Sequence, residues 1–147
     1  MKKIVLFALL GIVLASCQAN MAQKETKSTA LVSQLSDNQL MDKVQSDALK
    51  YFWDYAEPNS LLGRERYHED NIYPDNDKHV VTTGGSGFGL ATILVGVERG
   101  FIPRKEAVKR LTTMMNFLEK ADRFHGAWSH WINGETGKVV PFGRKDN

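Results

Sequence analysis

The sequence predicts an all-α fold with one short β-hairpin near its C-terminus, and three observations carry that reading. A capping box opens a segment whose apolar residues recur at three- and four-residue steps. An almost wholly apolar run of helical length then closes on a glycine. An amphipathic segment follows, starting at a proline three residues further on.

The first helix is expected to start at Ser36-Asp37-Asn38-Gln39, where the serine hydroxyl accepts an orphan amide and Gln39 returns the bond to the Ser36 amide. Leu40, Val44, Ala48 and Phe52, with Trp53 and Tyr55, repeat at three- and four-residue steps, and Pro58 ends the helix near Ala56. Phe52, Trp53 and Tyr55 crowd the last turn and are expected in the core. Residues 63–80 are polar and charged, and longer than an ordinary connection of about four to six residues. Two tyrosines and Ile72 in that stretch argue for an ordered loop at a rim of the fold.

Residues 82–89, Thr-Thr-Gly-Gly-Ser-Gly-Phe-Gly, lead directly into Leu90, Ala91, Ile93, Leu94 and Val97, a helix expected to be buried on most sides and to end at Gly100. Pro103 is placed as the first residue of the next helix. Ala107, Leu111, Met114, Met115 and Leu118 form its core face, with Arg104, Lys105, Lys109 and Arg110 on the other, so the two helices make an antiparallel hairpin. Beyond Arg123, residues 127–132 alternate, Asn133-Gly134 and Thr136-Gly137 are turn signals, and Val139-Val140 ends at Pro141, which predicts a short β-hairpin. The chain then runs out at residues 142–147 without a capping or terminating signal and reads as an interrupted sequence.

The glycine cluster fits none of the phosphate- or nucleophile-bearing motifs. A phosphate loop needs Lys and Ser or Thr after the last glycine, where Leu90 and Ala91 stand; a nucleophile elbow needs glycine at Phe88; a dinucleotide loop needs it at Leu90. Two readings stay open: helix-end amides that donate to a sugar hydroxyl or carboxylate, with Ser86 and Phe88 beside them, or glycines that let helices pack closely. The four histidines, His68, His79, His125 and His130, lack metal-ligand spacing, so no metal and no cofactor is expected. Residues 124–131 are the densest aromatic and polar run. In a strand Trp128 and His130 share one face, Ser129 and Trp131 the other, so that one tryptophan can be core while the other lines a cleft. An aromatic platform flanked by hydrogen-bonding groups suits a pyranose.

Residues 1–16 read as a signal peptide: Lys2 and Lys3, an apolar stretch over residues 4–14, then Ala15 and Ser16. That stretch is shorter than the roughly twenty residues a membrane-spanning helix needs. Leu14-Ala15-Ser16-Cys17 matches a lipobox, making Cys17, the sole cysteine, the expected lipidation site and membrane anchor. Residues 17–35 have no period and are expected to be a flexible tether, leaving residues 36–147 as the folded part. Of the 19 basic residues, Lys2 and Lys3 belong to the leader, which leaves 17 against 17 acidic ones and gives no reason to expect nucleic acid as a partner. The expected localisation is an exported, membrane-anchored lipoprotein, periplasmic or at the cell surface.

Tyr51-Phe52-Trp53-Asp54, the glycine-rich run at 82–89, Arg99-Gly100-Phe101-Ile102-Pro103-Arg104 and Trp128-Ser129-His130-Trp131 stand in the order found in the glycoamylase-like domain, the group that includes glycoside hydrolase family 144. The resemblance covers residues 36–147. It implies an (α/α)6 toroid of which this chain is a truncated N-terminal part, and an exported hydrolase of β-linked glucan, β-1,2-glucan foremost, acting as an endo-β-1,2-glucanase or a β-glucosidase-like enzyme. Hydrolysis with inversion needs an acid and a base about 6.5 to 9.5 Å apart. In the family the acidic cluster begins at the segment matched by residues 144–147, so the resemblance carries over Asp146 as one catalytic acidic residue, without a defined role. Trp128, His130, Trp131, Ser86 and Phe88 are the expected substrate contacts. With the acidic cluster incomplete, the 147 residues alone are expected to be inactive. A non-catalytic glycan-binding lipoprotein is the alternative. A toroidal polysaccharide lyase, which needs an acidic substrate, finds little support in a neutral chain.

Overall fold

The computed structural model describes residues 34–141 and 143. The leader, Cys17, nearly all of the tether and Asp146 lie outside the described residues. The chain divides into two compact units, Met1–Lys43 and Val44–Asn147.

In the first unit the capping box forms as the sequence predicts. The Ser36 amide donates to Gln39 Oε1 at 2.9 Å, and the Gln39 amide returns to Ser36 Oγ at 3.4 Å. These bonds open helix α1 (Asp37–Trp53), whose turns from Val44 onward belong to the second unit.

In the second unit α1 ends at Trp53, before the expected Ala56. The amides of Asp54 and Tyr55 both turn back to the Lys50 carbonyl, at 2.8 and 3.1 Å, and close the helix ahead of Pro58. Phe52 and Trp53 are half-buried, as core aromatics should be, but Tyr55 is exposed and stacks on Tyr67 across 4.4 Å. The long loop is ordered, as expected: Tyr67 joins that stack, and a 3-10 turn (Asp77–His79) leads into strand β1 (Val80–Thr82).

Helix α2 (Thr83–Glu98) begins sooner than the glycine-rich run suggested, so the glycines lie inside its first turns. Packing requires Gly89, and Gly96 further along, whereas a Cβ at Gly84 or Gly87 would meet nothing within 4 Å. A Cβ at Gly89 would stand 2.7 Å from the Phe52 ring, and one at Gly96 would stand 2.9 Å from Leu49. Only Ser86, Gly89, Ile93 and Gly96 of α2 are buried, against the expectation of a helix covered on most sides; Phe88 is 76% and Leu94 61% exposed.

Gly100, at φ +72°, ends α2 in a Schellman motif, with the Phe101 amide donating to Gly96 O at 2.8 Å and the Gly100 amide to Val97 O at 3.0 Å. Helix α3 (Arg104–Lys120) follows, with Pro103 capping it from just outside the first helical position. Ala107, Met114 and Leu118 are buried as expected. Met115 is exposed, and Arg110 is not on the solvent face: its guanidinium lies 4.5 Å from the Trp53 ring centre and donates to the Trp53 carbonyl at 2.7 Å.

The β structure differs in detail from the expected single hairpin. Strands β2 (Arg123–Phe124) and β3 (Ala127–Trp128) pair around His125 and Gly126, whose φ values of +49° and +87° are those of a two-residue type I′ turn. The alternating run breaks at Ser129 and resumes as β4 (Trp131–Asn133), whose main partner is β1: Val80, Val81 and Thr82 face Asn133, Ile132 and Trp131. On its other side β1 meets residues 63–65, through the Glu65 amide to Val80 O and the Thr82 amide to Gly63 O. The far side of β4 meets Val139 through the Asn133 turn. Val81 and Ile132 fill the middle, with no exposed surface.

Candidate functional site at the β1–β4 edge

The pairing of β1 with β4 sets the aromatic run against the first turn of α2. Thr83, immediately after β1, donates its amide to His130 O at 3.0 Å and its hydroxyl to Ser129 O at 3.0 Å. These two bonds end β3 and turn the backbone, so that Trp131 sits opposite Thr82. The Trp131 indole N–H donates to Glu65 Oε2 at 3.0 Å, and the His130 ring meets the indole edge-on at 4.7 Å. Tyr51 backs the cluster, its hydroxyl donating to Arg64 O at 3.0 Å. Burial, and then the nearby Glu65 carboxylate, raise the Tyr51 pKa, so this phenol stays a neutral donor. The arrangement is an indole plane, an imidazole and a carboxylate held at one end of the β1–β4 ladder. It can stack on a sugar face and bond its hydroxyls.

The remaining expected contacts are placed elsewhere. Trp128 donates its indole N–H to Leu118 O at 2.9 Å and lies under Arg123, so it closes the C-terminal end of α3. The Ser86 hydroxyl is buried and occupied, donating to Thr82 O at 2.6 Å and accepting from the Gly63 amide at 3.0 Å. Phe88 lines an apolar groove of about 310 Å³ between α1 and α2, with Ala48, Ala91 and Val95. Among the described residues no group of three His, Cys, Asp or Glu side chains is placed to hold a metal ion.

Sequence reasoning passed over two acidic residues. One is Glu65, in the loop read only as a rim. The other is Glu57, which has no exposed surface and accepts five bonds: from the Asn59 amide and side chain, the Ser60 amide and hydroxyl, and His79 Nδ1 at 2.9 Å. Burial pushes its carboxyl pKa up, but the bonds from Ser60, His79 and Asn59 outweigh that and hold it below the ordinary value. Gly134 is a glycine because a Cβ there would stand 2.7 Å from the same carboxylate. The Glu57-Pro58-Asn59-Ser60 spelling is a turn signal and was the available clue.

Comparison with known proteins sets this segment of three helices and a small sheet beside β-1,2-glucan hydrolases. No protein-family model matches the chain; individual relatives do. The chain is 58% identical to an endo-β-1,2-glucanase from Chitinophaga pinensis, solved with sophorotriose and glucose, over 77% of this chain and 27% of that one, at a TM-score of 0.74. It is 49% identical to a β-1,2-glucanase from Parabacteroides distasonis over 77% of this chain and 15% of that one, at a TM-score of 0.69. An exo β-1,2-glucooligosaccharide sophorohydrolase (non-reducing end) from Parabacteroides distasonis is 53% identical over 114 residues, 77% of this chain. The chain spans only 15% of that sophorohydrolase's length. The resemblance drawn from the sequence is borne out, and with it the mostly helical fold of which this chain is a part.

Proposed function

We propose that this chain is part of an exported glycoside hydrolase that cleaves β-1,2-glucan with inversion, and that Trp131 and His130 contact the sugar. The observation that carries the reading is the 58% identity to a β-1,2-glucanase solved with sophorotriose. Inversion needs one carboxyl to protonate the leaving oxygen and another to activate water on the opposite face of the ring. Asp146 belongs to that acidic site without an assigned role, and the acid and the base themselves are expected in the remainder of the whole protein. The lipobox spelling at Leu14-Ala15-Ser16-Cys17 supports delivery to a membrane surface through acylated Cys17.

The deciding assay offers the full-length protein linear β-1,2-, β-1,3- and β-1,4-glucans and follows the anomer released by NMR. Expected is hydrolysis of β-1,2-glucan with α-configured sugar appearing first. Asp146→Asn should lower kcat by about a hundredfold or more while the Tm holds. Retention of configuration, or a clear preference for another linkage, overturns the reading. For the anchor, Cys17→Ala should abolish labelling by fatty acid and release the protein from membranes.

A further inference from the structure

We infer that Glu65 is a positioning residue for glucan binding, fixing the plane of the Trp131 indole. The inference rests on the proposed role of Trp131 as a sugar contact and goes beyond it by naming what orients the ring.

A tryptophan side chain has two rotatable bonds, and on a fixed backbone a hydrogen bond from its ring nitrogen restrains them together. The backbone of Trp131 is set by its pairing with Thr82, and Val140 donates its amide to Trp131 O at 3.1 Å from the other side. The rotation that chooses the plane of the indole is then fixed by the bond from Nε1 to Glu65 Oε2 at 3.0 Å. Glu65 is a firm acceptor because its own backbone is held by β1, its amide donating to Val80 O at 2.9 Å. The neighbouring carbonyl, Arg64 O, is held by Tyr51 at 3.0 Å. An indole N–H has one donor and needs one acceptor, and a charged acceptor makes the stronger bond. Stacking on a pyranose needs a ring presented at a fixed angle, and every degree of freedom frozen beforehand is one that binding does not have to freeze. Trp128 makes the contrast: its N–H is spent on Leu118 O at the end of α3, so it supports the helix.

The test uses the full-length protein with 15N-labelled tryptophan, the Trp131 indole resonance assigned by its loss in Trp131→Phe. Glu65→Gln keeps a carbonyl acceptor, and Glu65→Leu removes it. Expected is an indole resonance retained in E65Q and displaced in E65L. KM for β-1,2-glucan should rise about tenfold in E65L, kcat should change little, and E65Q should restore most of the affinity. If E65L does not yield folded protein, Glu65→Ser replaces it. An indole resonance unmoved when the acceptor is removed overturns the inference, as does a displaced resonance with an unchanged KM. A wild type that cleaves no β-1,2-glucan defeats the functional reading instead, and the indole resonance still decides whether Glu65 sets the ring.

Discussion

Glu57 is fully buried and yet held charged, and the reason is local. Its two oxygens receive the Ser60 and Asn59 amides, two side-chain donors from the same turn, and His79 from the turn before β1. Removing the carboxylate leaves the buried Ser60 amide and hydroxyl and the half-buried His79 nitrogen without their acceptor, so Glu57→Ala should cost about 2–4 kcal/mol, read as the fall in denaturant midpoint of the full-length protein. The pH dependence has a definite sign. A carboxyl pKa held below its unfolded value gives stability that is complete above the unfolded value, about 4.3, and is lost as pH falls through the lower folded value. Thermal scans from pH 7 to pH 3 should therefore show a steeper acid limb in the wild type than in Glu57→Gln; identical limbs would mean that Glu57 is not charged in the fold.

At the scale of elements, what the sequence made legible was local, and what it hid was not. Ser36 and Gln39 are three residues apart, and Gly100 closes its helix within a single turn, so both could be read directly. Residues 82–89 misled because a glycine serves a loop or a close contact equally well, and at Gly89 only Phe52, more than thirty residues earlier, decides between them. Arg110 misled for the same reason. Helical spacing put it outside, but the Trp53 ring and carbonyl draw it in despite a burial that lowers its pKa. These contacts make the glycines unequal. Gly89→Ala should lower the Tm clearly more than Gly84→Ala, because a methyl group at 89 meets the Phe52 ring while one at 84 meets nothing within 4 Å and gains helix propensity of up to about 1 kcal/mol. Gly100→Ala, forced to a positive φ, should cost about 1 kcal/mol. Equal Tm values for the 84 and 89 variants would remove close packing as the reason for the glycine run.

For the molecule as a whole, pairing across distance decides where the aromatic run goes. β1 and β4 lie some fifty residues apart in the chain, and neither strand spells out its partner; the local turn at Asn133 does, which is why a hairpin was expected there and the β1–β4 ladder was not. Of the candidate site, the sequence picked out Trp131 and His130 by their density, but the Glu65 acceptor arrives only with that ladder. Helix α2 also keeps apolar surface exposed among the described residues: Phe88, Leu94 and Val95 are exposed, and an apolar groove runs beside Phe88 and Val95. A surface of this kind associates in water unless further chain packs on it. The relative solved with sophorotriose is represented here over 27% of its length, so cover for α2 is expected from the remainder. The 147 residues expressed alone should therefore bind the dye ANS, unfold without a sharp transition and release no reducing sugar from β-1,2-glucan, whereas the full-length protein should bind little dye and hydrolyse the glucan. Cooperative melting of the 147 residues together with glucan hydrolysis would show that this segment closes its core and its site unaided.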